Sequence, residues 1–178
     1  MVNFRNAVPG DAAAVTSIYN QGIAARGATF DTQLREVAEI ETRISDGTRY
    51  PLVVAVENDR VLGWAGLSAY RARDCYAGIA EFSVYVDEHA RGRGLGKQLL
   101  EHLIDAAREK GFWKLVSRIF PFNKASRGAC RAVGFREVGT YQKHAALDGK
   151  WLDVVIVERL IPQNLKSPAL PAETAVAL

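Results

Sequence analysis

Three glycines at alternate positions, set between an apolar strand and an amphipathic helix, constrain this chain more than any other feature. The stretch is EFSVYVDEHARGRGLGKQLLEHLI, residues 81–104. Over 81–86, Phe82, Val84 and Val86 alternate with Glu81, Ser83 and Tyr85, the period of a β-strand. Arg91-Gly92-Arg93-Gly94-Leu95-Gly96 predicts a turn. Leu95, Leu99 and Leu103, flanked by Leu100 and Ile104, then fall on one face of a helix. Residues without a Cβ let successive amides point into one concavity, and a helix start adds unpaired N–H groups and partial positive charge. The product is a seat for a phosphate or pyrophosphate, with Arg91, Arg93 and Lys97 around it. A Rossmann turn needs G-x-G-x-x-G and a Walker loop needs Gly-Lys-Ser/Thr; G-x-G-x-G followed by Gln98 is neither.

The remaining chain predicts a mixed α/β order around this stretch. Residues 2–7 read as a strand, and Asp11 after Pro9-Gly10 is placed to cap a helix over 12–24. A second helix is expected over 33–46, with Leu34, Val37, Ile40 and Ile44 inward and Asp46-Gly47 ending it. Strands follow at 52–57 and 61–70, joined through Asn58-Asp59. Arg71 to Tyr76 is a polar connection into the strand at Glu81. Gly111 marks a helix C-cap, 113–119 a strand, and 125–133 a short helix closed by Gly134. Residues 135–145 and 151–161 read as two antiparallel strands joined through Asp148-Gly149. The order β-α-α-β-β-β-α-β-α-β-β implies a mixed sheet with helices on both faces. A single domain over 1–162 is expected, with 163–178 as a flexible tail, since the closing PQNLKSPALPAETAVAL holds three prolines and small residues.

At 178 residues, 48% hydrophobic and 24% charged, the composition is that of one globular domain. A net charge of +3 is too small to argue for nucleic acid and is compatible with an anionic cofactor. Cys75 and Cys130 have no metal-ligand spacing, so no metal and a reducing compartment are expected. With no leader or membrane span to be read in it, the sequence points to the cytoplasm.

R-G-x-G-L-G after an apolar strand resembles the acetyl-CoA loop, Q/R-x-x-G-x-G/A, of the GNAT acetyltransferases, and the element order resembles that family over residues 3–161. The resemblance implies a twisted, mostly antiparallel sheet whose cofactor strand splays from its neighbour to admit acetyl-CoA. It implies that backbone N–H groups around Val84, Tyr85 and Val86, next to a bulge, face the thioester, and that Arg91 to Lys97 hold the pyrophosphate. F-N-K-A-S resembles the family's N-x-x-S/A segment, so Asn123 and Ser126 are expected at the cofactor; the same pair also suits an ordinary N-cap.

AEFSVYV resembles the V-E-x-x-V-Y-V of the phosphinothricin and methionine sulfoximine acetyltransferases. YQKHAALDGKWLDVV resembles their K-H-x-G-x-W-x-D-V segment, with a longer spacing from His144 to Trp151. Glu81, His144 or a water chain is then the route for the ammonium proton, and partial desolvation suits Glu81 to that task. Tyr141 is a candidate acid for the thiolate. Arg71 and Arg73, spaced i, i+2, could clamp an anion, and the resemblance places them, with Phe30 and Ser83, at the acceptor. The ending D-G-K-W-L-D-V-V-I-V-E-R-L resembles the arsinothricin branch. The implied activity is N-acetylation of a small glutamate analogue by a homodimer, the alternative being a peptide N-terminal acceptor.

Overall fold

The computed structural model describes residues 1–46 and 49–165. Seven strands form one sheet: β1 (Asn3–Asn6), β2 (Leu52–Glu57), β3 (Arg60–Ala69), β4 (Ile79–Val86), β5 (Lys114–Ile119), β6 (Arg136–Leu147) and β7 (Lys150–Leu160). Their spatial order is β1-β2-β3-β4-β5-β7-β6, and every neighbouring pair is antiparallel except β4 and β5. The helices are α1 (Ala12–Ala24), α2 (Val37–Ser45), α3 (Leu95–Glu109) and α4 (Lys124–Ala132).

Period-2 alternation explains how one sheet serves two cores. On β2, Leu52 and Val54 join Val15 and Ile18 of α1, Ile40 of α2 and Trp64 in one cluster. Val53 and Ala55 turn to the other face and join Phe82 with Leu99 and Leu103 of α3. Both sides of β2 and β3 are therefore covered, which is why their sequences read as nearly continuous apolar runs. The two hairpin turns follow from residues that tolerate left-handed backbone: Asn58 and Asp59 have φ of 50° and 60°, Asp148 and Gly149 of 47° and 76°.

Some expectations need correction. The second helix starts at Val37, and Leu34 and Val37 are exposed; only Ile40 of the expected inward set is fully buried. Glu36 is extended and its backbone N–H donates to the Glu39 carboxylate at 3.1 Å, a cap that starts the helix later than the apolar spacing suggested. Gly47, expected to end this helix, lies outside the described residues. Gly96 is not in the turn; it is the second residue of α3, whose N-cap is Gly94. β4 carries no bulge, since its pairing with β3 runs without a register shift from Ala80 to Val86. Of the expected tail, Pro162–Asn164 forms a 3-10 turn pinned by Asn164 Nδ2 donating to the Arg108 and Phe112 carbonyls at 2.8 Å. Residues 166–178 lie outside the described residues. Among the described residues, no helix is long and apolar enough to cross a membrane.

Asp11 caps α1 without a side-chain bond to the helix. Its carboxylate is taken instead by Arg5, at 2.6 and 2.9 Å, and by the Val8 N–H at 2.8 Å, tying β1 to α1. The Arg5 hydrogen bonds outweigh burial and, with the Val8 N–H, hold the Asp11 carboxyl below its ordinary 3.8. A carboxyl depressed in the folded state stabilises the fold above its unfolded pKa, and that stability is lost as pH falls through the folded value. Asp11→Asn should therefore lower the unfolding free energy at neutral pH by about 2 kcal/mol. The gap to the wild type should close as the pH is taken down through the carboxylate range. Urea unfolding at a series of pH values reads this; a gap unchanged to about pH 2 would overturn the account.

Candidate active site

The sheet opens at one place. β4 and β5 pair for three residues, Ile79 with Lys114, Ala80 with Leu115 and Glu81 with Val116, and then separate. Beyond that point the Ser117 hydroxyl still bridges the split, donating to the Phe82 carbonyl at 2.9 Å. Strand alternation then orients the free backbone. The Phe82 carbonyl faces β5, while the Asp87 N–H faces β3, where it donates to Leu62 at 2.9 Å. The N–H groups of Val84 and Val86 consequently face the opening, and Tyr85, paired with Trp64, turns its amide to β3. A cleft of about 1160 Å³ runs through this opening, from the start of α3 to the loop between α1 and α2.

At the α3 end, Gly92 and Gly94 have φ of 78° and 76°, which β-carbon-bearing residues rarely adopt. A Cβ at Gly92 would meet nothing within 4 Å, so the backbone there is left bare. Arg91, Gly92, Gly94, Leu95, Gly96 and Lys97 all line the cleft. Arg93 does not: its guanidinium turns away to the Glu57 carboxylate at 2.9 and 3.0 Å. That pairing, unreadable from a local motif, removes it from the seat. Asn123 and Ser126 line the same end. Asn123 caps α4 by accepting from the Ser126 N–H at 3.1 Å, and its Nδ2 donates to the Gly27 carbonyl at 3.3 Å. Both ends of its amide are thus spoken for. Cys130, on the buried face of α4 with its thiol pushed up to about 12 by desolvation, is an inert packing residue.

At the other end, odd-numbered residues of β4 turn towards α1. Tyr85 lies between the rings of Tyr19, at 4.9 Å, and Trp64, at 5.0 Å, and a Cβ at Gly22 would stand 2.7 Å from its ring. Only glycine lets α1 lie this close to β4. Burial pushes the Tyr85 phenol well above its ordinary value, keeping it neutral. Tyr19 donates to Asp31 at 2.5 Å, and Arg35 adds a bond at 3.2 Å. Burial acts to raise the Asp31 carboxyl, but these bonds outweigh it and hold it below the ordinary range. Phe30 stands edge-on to Phe120 at 4.8 Å, forming an aromatic wall.

Glu81 and Ser83 line this half. Glu81 is not free: Arg118 of β5 grips its carboxylate through Nε, at 3.0 Å, and Nη2. His144 also reaches the cleft, with its ring 6.4 Å from Phe30 and 5.5 Å from Tyr141. A bulge puts it there. Gln142, Lys143 and His144 stand opposite Asp153 alone, Lys143 has φ of 47°, and its N–H donates to Asp153 at 2.7 Å. Tyr141 is exposed and outside the cleft lining, so the expected thiolate acid is not brought to the opening.

Arg71 and Arg73 also lie outside the lining, both exposed. Their connection turns outward after Ala69 and is folded on itself by the edge-on contact of Tyr70 with Tyr76, while Arg71 stacks over Tyr70 at 5.3 Å. Arg118, which sequence reasoning missed, is the guanidinium that lines the half of the cleft holding Glu81 and Phe30. The signal was present as a charged residue inside the otherwise strand-like KLVSRI. Among the described residues, no group of three or more His, Cys, Asp or Glu side chains is placed to hold a metal ion.

The positive-φ glycines, bare amides, Arg91 and Lys97 fit a pyrophosphate, and the opened edge of β4 fits an extended thioester arm. Comparison with known proteins agrees. Residues 18–135 match the acetyltransferase (GNAT) family. The L-amino acid N-acyltransferase MnaT of Escherichia coli is 31% identical over 95% of this chain and 99% of its own length. The L-methionine sulfoximine/L-methionine sulfone acetyltransferase of Pseudomonas aeruginosa is 32% identical over 93% and 98%. The solved structure of yncA from Salmonella typhimurium with its cofactor acetyl-CoA is 31% identical and covers 97% of this chain and 99% of its own, with a TM-score of 0.85. The split sheet, the glycine seat and these relatives together make the chain a member of the GNAT acetyltransferase family, an acetyl-CoA-dependent N-acetyltransferase.

Proposed function

We propose that this enzyme acetylates the α-amine of a small amino acid, a tetrahedral glutamate analogue of the methionine sulfoximine, phosphinothricin or arsinothricin kind, and so detoxifies it. The observation carrying the reading is that one cleft joins an anion seat to a compact half holding Glu81, Ser83, Phe30 and His144. The relatives named for free amino acids favour this acceptor over a peptide N-terminus.

Acetyl-CoA supplies the activated acetyl group. Arg91, Lys97 and the amides from Gly92 to Gly96 hold its pyrophosphate in this reading, with Ser126 beside them. The N–H groups of Val84 and Val86 are aimed where negative charge develops on the thioester oxygen. The neutral amine nitrogen forms its bond to the acetyl carbon, the carbon–sulfur bond breaks, and a second proton from that nitrogen passes to the departing sulfur, so CoA leaves as the thiol. Glu81 takes the ammonium proton directly or through water, with His144 as the second group within the same half.

Acetyl-CoA-dependent thiol release with methionine sulfoximine, methionine sulfone, phosphinothricin, arsinothricin, glutamate and an N-terminal peptide tests the acceptor. Turnover confined to the tetrahedral analogues is expected; turnover of the peptide alone would overturn it. Glu81→Gln should lower kcat by about 10²-fold or more while leaving the KM for acetyl-CoA unchanged. An unaltered kcat would remove Glu81 from proton transfer.

The reading includes a cytoplasmic homodimer. Cys75 and Cys130 are free thiols, as a reducing compartment requires. Val138, Tyr141, Trp151 and Leu160 are exposed apolar side chains on β6 and β7, at one margin of the sheet, a region suited to a second copy. Sedimentation equilibrium at micromolar protein should give twice the chain mass; a monomer mass would overturn the dimer.

A further inference from the structure

We infer that Arg118 anchors the acceptor's carboxylate and that the Glu81–Arg118 pair reads the acceptor as a zwitterion; this rests on the amino-acid reading above. Three Lys or Arg side chains line the cleft among the described residues: Arg91, Lys97 and Arg118. Arg91 and Lys97 belong to the α3 end. Arg118 is therefore the cation of the acceptor half, and a free amino acid presents a carboxylate that needs one. The pair expected for this role, Arg71 and Arg73, lies outside the lining.

Arg118 is built to do more than brace the split. Ser117 already bridges it through the Phe82 carbonyl. The guanidinium uses Nε and Nη2 on Glu81, and among the described residues Nη1 has no protein acceptor. Its side chain is 46% exposed against 23% for Glu81 and lines the cleft, so the pair is open to an incoming charged group.

An amino acid entering between these groups exchanges partners with them. Its ammonium meets Glu81, on the strand whose Val84 and Val86 amides face the thioester in the reading above, and its carboxylate meets Arg118. Two charges of opposite sign replace one ion pair by two, so neither protein group is left unpaired in the closed site. A plain amine, an amino-acid amide or a peptide N-terminus brings no such carboxylate and leaves Arg118 without compensation. Selectivity then comes from the penalty on the wrong acceptor as much as from attraction of the right one.

The test compares methionine sulfone with its α-carboxamide on the wild type, Arg118→Met and Arg118→Lys. The wild type should prefer the acid by about 10²-fold in kcat/KM. Arg118→Met should lose that preference from both sides, through a raised KM for the acid and a lowered KM for the carboxamide, with the KM for acetyl-CoA nearly unchanged. Arg118→Lys should recover part of the preference, since it restores charge without the fork. Equal losses on acid and amide in both variants would show a structural brace and overturn the inference. Undiminished preference for the acid in Arg118→Met would overturn it as well, while leaving the amino-acid reading standing. A wild type that acetylates neither compound but acetylates a peptide would overturn that reading and the inference with it.

Discussion

Everything at the candidate active site depends on β4 and β5 parting after three paired residues. A continuous sheet would have spent the Val84 and Val86 amides on ladder hydrogen bonds, leaving no polar edge for a substrate. Parting frees those groups but threatens the sheet with an open seam. Three devices close it around the opening: the Ser117 hydroxyl on Phe82, the Arg118 fork on Glu81, and β7, which pairs with β5 over its whole length from Lys114 to Ile119. β5 is thus supported on its far side where it has lost its near one. α3 and Phe82 fill the seam from below.

The cleft is electrically divided along its length. One end offers bare N–H groups, two cationic side chains and the start of a helix, all favourable to anions. The other end carries carboxylates at Glu81 and Asp31, each already held by an arginine, and a neutral phenol at Tyr85. The division matches a transfer from a polyanionic donor to a zwitterionic acceptor.

How much of this was legible in the sequence depended on the range of the interaction. Strand, glycine turn and helix were readable because their signals are local: period 2, missing Cβ atoms, then period 3.6. The element order was right throughout for the same reason. Arg93 was expected beside Arg91 and Lys97 but pairs with Glu57 on a strand distant in sequence, and no local rule says which arginine of a turn will be captured. Arg71 and Arg73 were placed at the acceptor by resemblance, whereas the Tyr70–Tyr76 contact turns their connection outward. Arg118 was overlooked because one charged residue in a strand looks like a solvent-facing position. Only the register of β5 against β4 shows it facing Glu81. Leu34 and Val37 show the opposite error, where apolar spacing extended a helix past the point its cap allows.

His144 owes its position to a bulge in β6, and β6 is the outermost strand of its side of the sheet. An edge strand pairs on one side only, so extra residues there displace no second neighbour. The wall of the acceptor half that His144 forms is therefore mechanically uncoupled from the seam at β4 and β5. Insertions or deletions between Tyr141 and Ala145 can reshape this wall of the cleft while the glycine turn before α3 keeps its geometry. The fold in this way separates the part that must stay constant from the part free to vary, and assigns the variable part to the margin of the sheet.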